Sequence, residues 1–88
     1  MLADRLDERI AEAISHTIAQ ERASADTASP AWRMRCEVAR IATYSEPERR
    51  IFLLHVAERR GEAAAHELEQ SASEMRTTAI FFLARKPS

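Results

Sequence analysis

Apolar residues recur along the chain at helical spacing, and the pattern predicts an all-α fold of four helices. In the first helix, residues 2–22, the apolar positions step by four: Leu2, Leu6, Ile10, Ile14 and Ile18. A strict four-residue step drifts slowly around a helix, so we expect this stripe to wrap a neighbouring helix. Residues 23–30 are small and polar, without a period, and predict a flexible linker to a helical body at 31–84.

The third predicted helix, residues 46–60, is apolar around nearly its whole circumference. Its three faces carry the sets Ile51, Leu54 and His55; Phe52 and Val56; and Leu53 and Ala57. A helix that is apolar all round is usually buried on several sides. We therefore predict that this helix forms the centre of the core, and that Leu54→Ala costs about 2–5 kcal/mol of stability.

Capping signals mark where the helices begin and end. Ser45 and Glu48 match a capping box at the start of the third helix, and Gly61, the only glycine, suits its end. Ser29, followed by a proline, suits the start of a second helix at 31–44. The connections on either side of the third helix are therefore short.

A fourth helix is predicted at residues 62–84, where apolar side chains recur near heptad spacing. The seam consists of Ala64, Leu68, Ala72, Met75, Ala79 and Phe82. The run Ser71-Ala72-Ser73-Glu74 resembles another capping box, so the helix either continues, with a kink near Ser71, or breaks there. Residues 77–83 are also rich in strand formers, and a helix is preferred because the seam runs through them.

Length and composition bound the class of protein. The chain has 88 residues and a net charge of −1, which indicates one small helical domain at 1–88. A core of this size is modest, which favours a homodimer or a bound partner. The single cysteine suits a reducing compartment, and no apolar run is long enough for a membrane span or a signal peptide. We expect a cytoplasmic protein without membrane contact.

No catalytic or cofactor motif stands out. One glycine cannot build a phosphate-binding loop, and His16, His55 and His66 lack zinc-ligand spacing. Cys36 and His55 could form a nucleophile–base pair, but each is explained more simply as a core or interface residue. We therefore expect a protein that is not an enzyme and that uses no cofactor or metal.

Arginine is distributed unevenly along the chain. Residues 30–60 contain seven arginines and four glutamates, whereas residues 1–29 contain three arginines and six acids. A GC-rich genome would explain the preference for arginine over lysine; the functional alternative is that guanidinium groups bind carboxylates or phosphates. Aromatic and arginine side chains dominate the energetics of protein interfaces. The candidate partner-binding residues are therefore Trp32, Arg33, Arg40, Arg49, Arg50, Phe81 and Phe82.

Two short helices joined by a tight turn also invite comparison with a helix-turn-helix DNA-binding module. The net charge lacks the basic footprint of such a module. The helix at 46–60 is too apolar to lie in a groove, and Glu62, Glu67 and Glu69 would repel phosphate. Nucleic-acid binding is therefore the less favoured hypothesis.

Three motifs lie in the middle of the chain: Trp32-x-x-x-Cys36-Glu37-Val38, Pro47-x-Arg49-Arg50-x-Phe52-Leu53, and Val56-x-x-Arg59-Arg60-Gly61-x-Ala63-Ala64-x-x-x-Leu68. Together, over residues 32–68, they resemble a set of small uncharacterised proteins of bacteriophages and prophages. The resemblance implies an accessory gene product in a bacterial host. Such a product would block a host protein, including CRISPR–Cas components, or regulate transcription. No activity or site residue carries over from that set.

Three hypotheses of function follow. The first is a non-enzymatic accessory protein of phage or prophage type, expected to form a homodimer, which inhibits a host protein by steric occlusion, as an anti-CRISPR inhibitor would. The second is a small DNA-binding or transcription-regulating module. The third is a structural subunit that assembles with copies of itself and needs no outside partner.

Overall fold

The structure, a computed structural model, describes the backbone of residues 2–85 and the side-chain environment of residues 5–85. It contains four α-helices: α1 (Leu2–Arg22), α2 (Pro30–Thr43), α3 (Glu46–Arg60) and α4 (Glu62–Arg85). The predicted all-α, four-helix fold is confirmed. Met1 and residues 86–88, which the predicted domain includes, lie outside the described residues, and so does the side chain of Leu2 in the predicted stripe.

The caps form where the sequence places them. The Ser29 hydroxyl accepts a hydrogen bond from the Trp32 amide at 3.1 Å. Ser45 and Glu48 form a reciprocal capping box, in which the Ser45 amide donates to the Glu48 carboxylate at 3.0 Å. Gly61 ends α3 with a φ of 94°, a backbone conformation that side-chain-bearing residues rarely adopt. This single residue turns the chain from α3 into α4.

Helix α4 is continuous from Glu62 to Arg85. The alternative of a break near Ser71 is therefore excluded, because the helix does not restart at the second capping-box pattern, and the preferred helix through residues 77–83 is confirmed. The apolar seam explains the continuity: Leu68, Ala72 and Ala79 are all buried on one side of the helix, so interrupting the helix would take part of that side out of the core.

The core lies between α1, α2 and α4. Its buried members are Ile10, Ile14, Val38, Ala39, Ile41, Ala42, Val56, Leu68, Ala72 and Ala79. Only Val56 comes from α3. The expected wrapping stripe of α1 is present in part, since Ile10 and Ile14 are buried while Leu6 is 47% exposed.

Helix α3 is therefore not the centre of the core, and that prediction is wrong. It packs along α4 and touches α2, and within the described residues it makes no contact with α1. Phe52 faces inward and meets the Tyr44 ring edge-on, with 5.8 Å between ring centroids. Ile51 and Leu54, on the opposite side, are 56% and 59% exposed. The cause is geometric: two of the three faces of α3 pack against other helices, whereas the third is largely open and borders the groove between α3 and α4 only through Leu54.

Arginine side chains join the helices of the body. Arg35 of α2 donates two hydrogen bonds to the Glu21 carboxylate of α1, at 2.9 and 2.8 Å. Arg60, at the end of α3, pairs with Glu37 of α2 at 2.7 Å. These bidentate pairs fix the orientation of α2 relative to both neighbours.

A third arginine links three helices at once. The Arg76 guanidinium of α4 donates to the Ala42 carbonyl at the end of α2 and to the Asp7 carboxylate of α1, each at 3.0 Å. The side chain of Arg76 is only 19% exposed. It therefore satisfies a carbonyl that the end of α2 leaves without a helical partner.

The resulting molecule is flat. Its Cα atoms span 43 × 34 × 15 Å, and the short dimension is close to the thickness of two packed helices. The linker, residues 23–29, forms turns between α1 and α2. Within it, the Ser29 hydroxyl donates a hydrogen bond to the Asp26 carbonyl at 2.8 Å. None of the described helices is both long and apolar enough to cross a membrane.

Candidate protein-binding surfaces

The structure distributes the candidate binding residues over three separate surfaces. Trp32, Arg33 and Arg40 line a shallow groove between the linker, α2 and α3. Arg49 and Arg50 line a second groove between α3 and α4. The two phenylalanines lie near the end of α4. The seven residues therefore do not form one continuous site.

Trp32 is partly an internal anchor. It is half-buried and shares its groove with Phe52 of α3. The Arg33 guanidinium donates to the Ala28 carbonyl in the linker at 3.4 Å, and Arg40 is exposed. This groove therefore lies over the junction between the linker and the helical body, and two of its three candidate residues also serve the fold.

Arg49 and Arg50 have different environments although they are adjacent. Arg49 is half-buried and donates to the Tyr44 carbonyl at 3.0 Å, so it supports the turn between α2 and α3. The Arg50 side chain is 73% exposed and pairs with Glu46, one helical turn away, at 3.3 Å. An exposed pair of this kind contributes about 0–1 kcal/mol. Arg50 is therefore available to a partner, whereas reversing the charge of Arg49 would disturb the fold.

One side of α3 faces solvent and combines apolar with charged residues. We call it the α3 outer face, and it consists of Pro47, Arg50, Ile51, Leu54 and Glu58. These positions are spaced by three or four residues and therefore lie on the same side of the helix. Two aliphatic side chains more than half exposed, next to an exposed arginine, form an apolar patch with a charged border.

Phe81 and Phe82 point in different directions because consecutive helical residues are rotated by about 100°. Phe81 is 63% exposed and Phe82 lines a groove between α1, α2 and α4. We call this the three-helix groove, and it encloses about 470 Å³. Its apolar lining consists of Ala13, Ile14, Ile18, Ala31, Met34, Val38, Met75, Ala79 and Phe82.

The charged members of the three-helix groove are Arg35 and Glu74. The two hydrogen bonds from the Arg35 guanidinium lower the pKa of the Glu21 carboxyl, and the same contact raises the pKa of Arg35. The positive charge of Arg35 is therefore largely balanced by the Glu21 carboxylate at the edge of the groove. A mainly apolar groove with few charged side chains at its border suits an apolar occupant.

Sequence reasoning missed the residues that make these surfaces apolar. Ile51 and Leu54 carried a signal, because they share one face of α3, but that face was interpreted as core. Met34, which is 52% exposed in the three-helix groove, was not among the predicted binding residues. Arg76 gave no local signal, because its partner Asp7 is 69 residues away in sequence.

The described residues contain no group of three or more His, Cys, Asp or Glu side chains placed to hold a metal ion. Comparison with curated proteins and with solved structures gave no match. A family model does match residues 25–79, which run from the linker into the last third of α4. Because this match covers more than half of the chain, the protein belongs to the DUF7696 family, a family of unknown function.

Proposed function

We propose that the protein is a non-enzymatic, helical protein-binding module that engages its partner through the α3 outer face. The partner, a host protein, would present an apolar patch bordered by acidic side chains. The module would act sterically, by covering a surface that the partner needs. The observation that carries the proposal is the exposure of Ile51 and Leu54, at 56% and 59%, on one side of a well-capped helix.

The apolar part of the patch supports binding energy. Fully burying an aliphatic side chain of this size contributes about 1.5–3 kcal/mol, and here more than half of each side chain is still in water. The backbone beneath is fixed by the capping box and by Gly61. Binding therefore costs little conformational entropy, because this surface is already ordered before a partner arrives.

The charged border supports selectivity. Arg50 is held only by a solvent-exposed pair with Glu46, so its guanidinium can exchange that partner for an acidic side chain of another protein. Arginine forms bidentate contacts with carboxylates and is enriched among the residues that dominate interface energetics. A partner with a carboxylate beside an apolar patch fits this arrangement.

The span of the family match agrees with this location. Residues 25–79 contain α2, α3 and most of α4, whereas α1 lies before the match. The α3 outer face lies wholly inside the matched region. The phage-type origin and the anti-defence role, such as anti-CRISPR inhibition, remain predictions from the resemblance over residues 32–68.

The test is site-specific photo-crosslinking in the organism that encodes the protein. A photoreactive phenylalanine analogue replaces Leu54 in one variant and Glu67, an exposed residue of α4, in the control. We expect Leu54 to give a covalent adduct with one protein and Glu67 to give none. Arg50→Glu should weaken the adduct, whereas Arg59→Glu, an exposed change outside the α3 outer face, should not.

Two outcomes would contradict the proposal. Equal adducts at Leu54 and Glu67, or none at Leu54, would mean that no partner binds through the α3 outer face. An adduct with nucleic acid that disappears on nuclease treatment would favour the DNA-binding hypothesis instead. In that case the yield of the adduct would also fall steeply as salt is raised, because salt weakens the binding of phosphates before crosslinking.

A further inference from the structure

We propose that the three-helix groove is a homodimer interface, in which a second copy of this chain inserts its Phe82 and Met34 side chains into the groove. This surface is separate from the α3 outer face, because α3 contributes no residue to the groove lining. Loss of the homodimer would therefore leave the proposed partner binding through the α3 outer face intact.

The exposed surface of the chain is larger than a monomer of its mass requires. The chain exposes 6795 Å² at a mass of 10.0 kDa, whereas compact monomers of that mass expose about 5,200 Å². A standard interface buries about 800 Å² on each partner. The excess over the whole chain, roughly 1,500 Å² by the same scaling, is larger than one such footprint.

The groove supplies both the cavity and the side chains to fill it. Met34 and Phe82 both line the groove, yet they are 52% and 56% exposed. The floor beneath them is closed by Ile14, Val38 and Ala79, which are buried. Two copies related by a two-fold axis present the same patch to each other, so the exposed side chains of each copy can occupy the groove of the other.

The groove offers little charge to a charged partner. Its lining carries two charged side chains, Arg35 and Glu74, and the charge of Arg35 is balanced by Glu21 of the same chain. An interface between identical patches brings like charges together, and here that charge is Glu74. Glu74 is exposed, so water and salt screen the repulsion between its two copies.

Sedimentation equilibrium over a range of concentrations gives the first test, on the full chain and two matched variants. We expect the wild type to reach twice the 10.0 kDa chain mass. Phe82→Asp should raise the dimer dissociation constant by about tenfold or more. Phe81→Asp, one residue earlier and outside the groove, should leave the constant unchanged. Circular dichroism checks that both variants keep their helix content.

Methionine methyl NMR gives a second test that needs no substitution. Of the three methionines, Met34 and Met75 line the groove. Selective labelling should show both methyl signals shifting with concentration, and a mixed-label sample should show intermolecular contacts between the Met34 methyl and the Phe82 ring. These signals report on the groove even if Phe82→Asp fails to fold.

Three results would overturn the inference. A wild type that stays monomeric at all accessible concentrations would leave the groove without this occupant. A dimer that survives Phe82→Asp with unshifted Met34 and Met75 signals would place the interface elsewhere. A monomer whose groove signals respond instead to a co-purifying apolar molecule would identify a different occupant.

Discussion

Ile41 and Ile51 are the same residue type, ten positions apart on neighbouring helices, and they have opposite environments. Ile41 is fully buried where α2 packs between α1 and α4, whereas Ile51 is 56% exposed on α3. Periodicity assigns both to apolar helix faces. The difference shows that an apolar face identifies a surface to be covered but does not say whether this chain or another molecule covers it.

The two regions also differ in how they are held together. The α1–α2–α4 body has close apolar packing and is cross-linked by Arg35 and Arg76. Helix α3 is held by its inner face, by its caps and by the Arg60–Glu37 pair. Substitutions in the body should therefore reduce stability, whereas substitutions on the α3 outer face should affect binding and leave stability almost unchanged.

The largest expected effect comes from the paired substitutions Ile41→Ala and Ile51→Ala. We expect Ile41→Ala to lower the free energy of unfolding by about 2–5 kcal/mol, because it leaves a cavity in a packed core. Ile51→Ala should change it by less than about 1 kcal/mol, because that side chain is mostly in water already. Urea denaturation measures both, and similar losses for the two would erase the distinction between the regions.

An intermediate effect is expected from Arg76→Met. Removing the guanidinium leaves the Ala42 carbonyl and the Asp7 carboxylate without their donor, and losing hydrogen bonds to a charged group costs about 1.5–3 kcal/mol. The same substitution at Arg59, an exposed arginine of α3, is the control and should change stability by about 0.5 kcal/mol at most. If the two variants melt alike in urea, Arg76 does not join the three helices.

The smallest effect concerns pH. Because Arg35 lowers the pKa of Glu21 in the folded state, their pair stabilises the fold fully above the ordinary glutamate pKa of about 4.3. That contribution is lost as the pH falls through the lowered pKa. The stability advantage of wild type over Glu21→Gln should be within about 1 kcal/mol at neutral pH and should shrink in acid.

Urea titrations at pH 7 and pH 3 measure that advantage. Glu67→Gln, at an exposed position without an ion pair among the described residues, is the control. An advantage for Glu21 that stays the same at both pH values would mean that its ionisation contributes nothing to the fold.

Local signals predicted the helices well. Ser29, Ser45 and Gly61 set helix ends within one residue of where the structure has them, because caps act on neighbouring backbone groups. The second capping-box pattern at Ser71 does not start a new helix, because tertiary burial of Ala72 outweighs a local preference for a helix start.

Arrangement in space was less predictable than local structure. The number of covered faces on α3 depends on where α1 lies, and nothing in residues 46–60 encodes that. The Arg76 contacts arise from pairing between distant parts of the chain, and the split environments of Arg49 and Arg50 depend on the Tyr44 carbonyl between helices. Candidate residue types were therefore identifiable, but their division into separate surfaces was not.

The central claim is that the apolar α3 outer face is not needed for folding, and the most direct test is the urea unfolding of Leu54→Asp. A free energy of unfolding within about 1 kcal/mol of wild type is expected, because an exposed side chain accepts a charge at little cost. A loss above about 2 kcal/mol would mean that Leu54 is buried in the folded protein. The α3 outer face would then be part of the core, as the sequence alone first indicated.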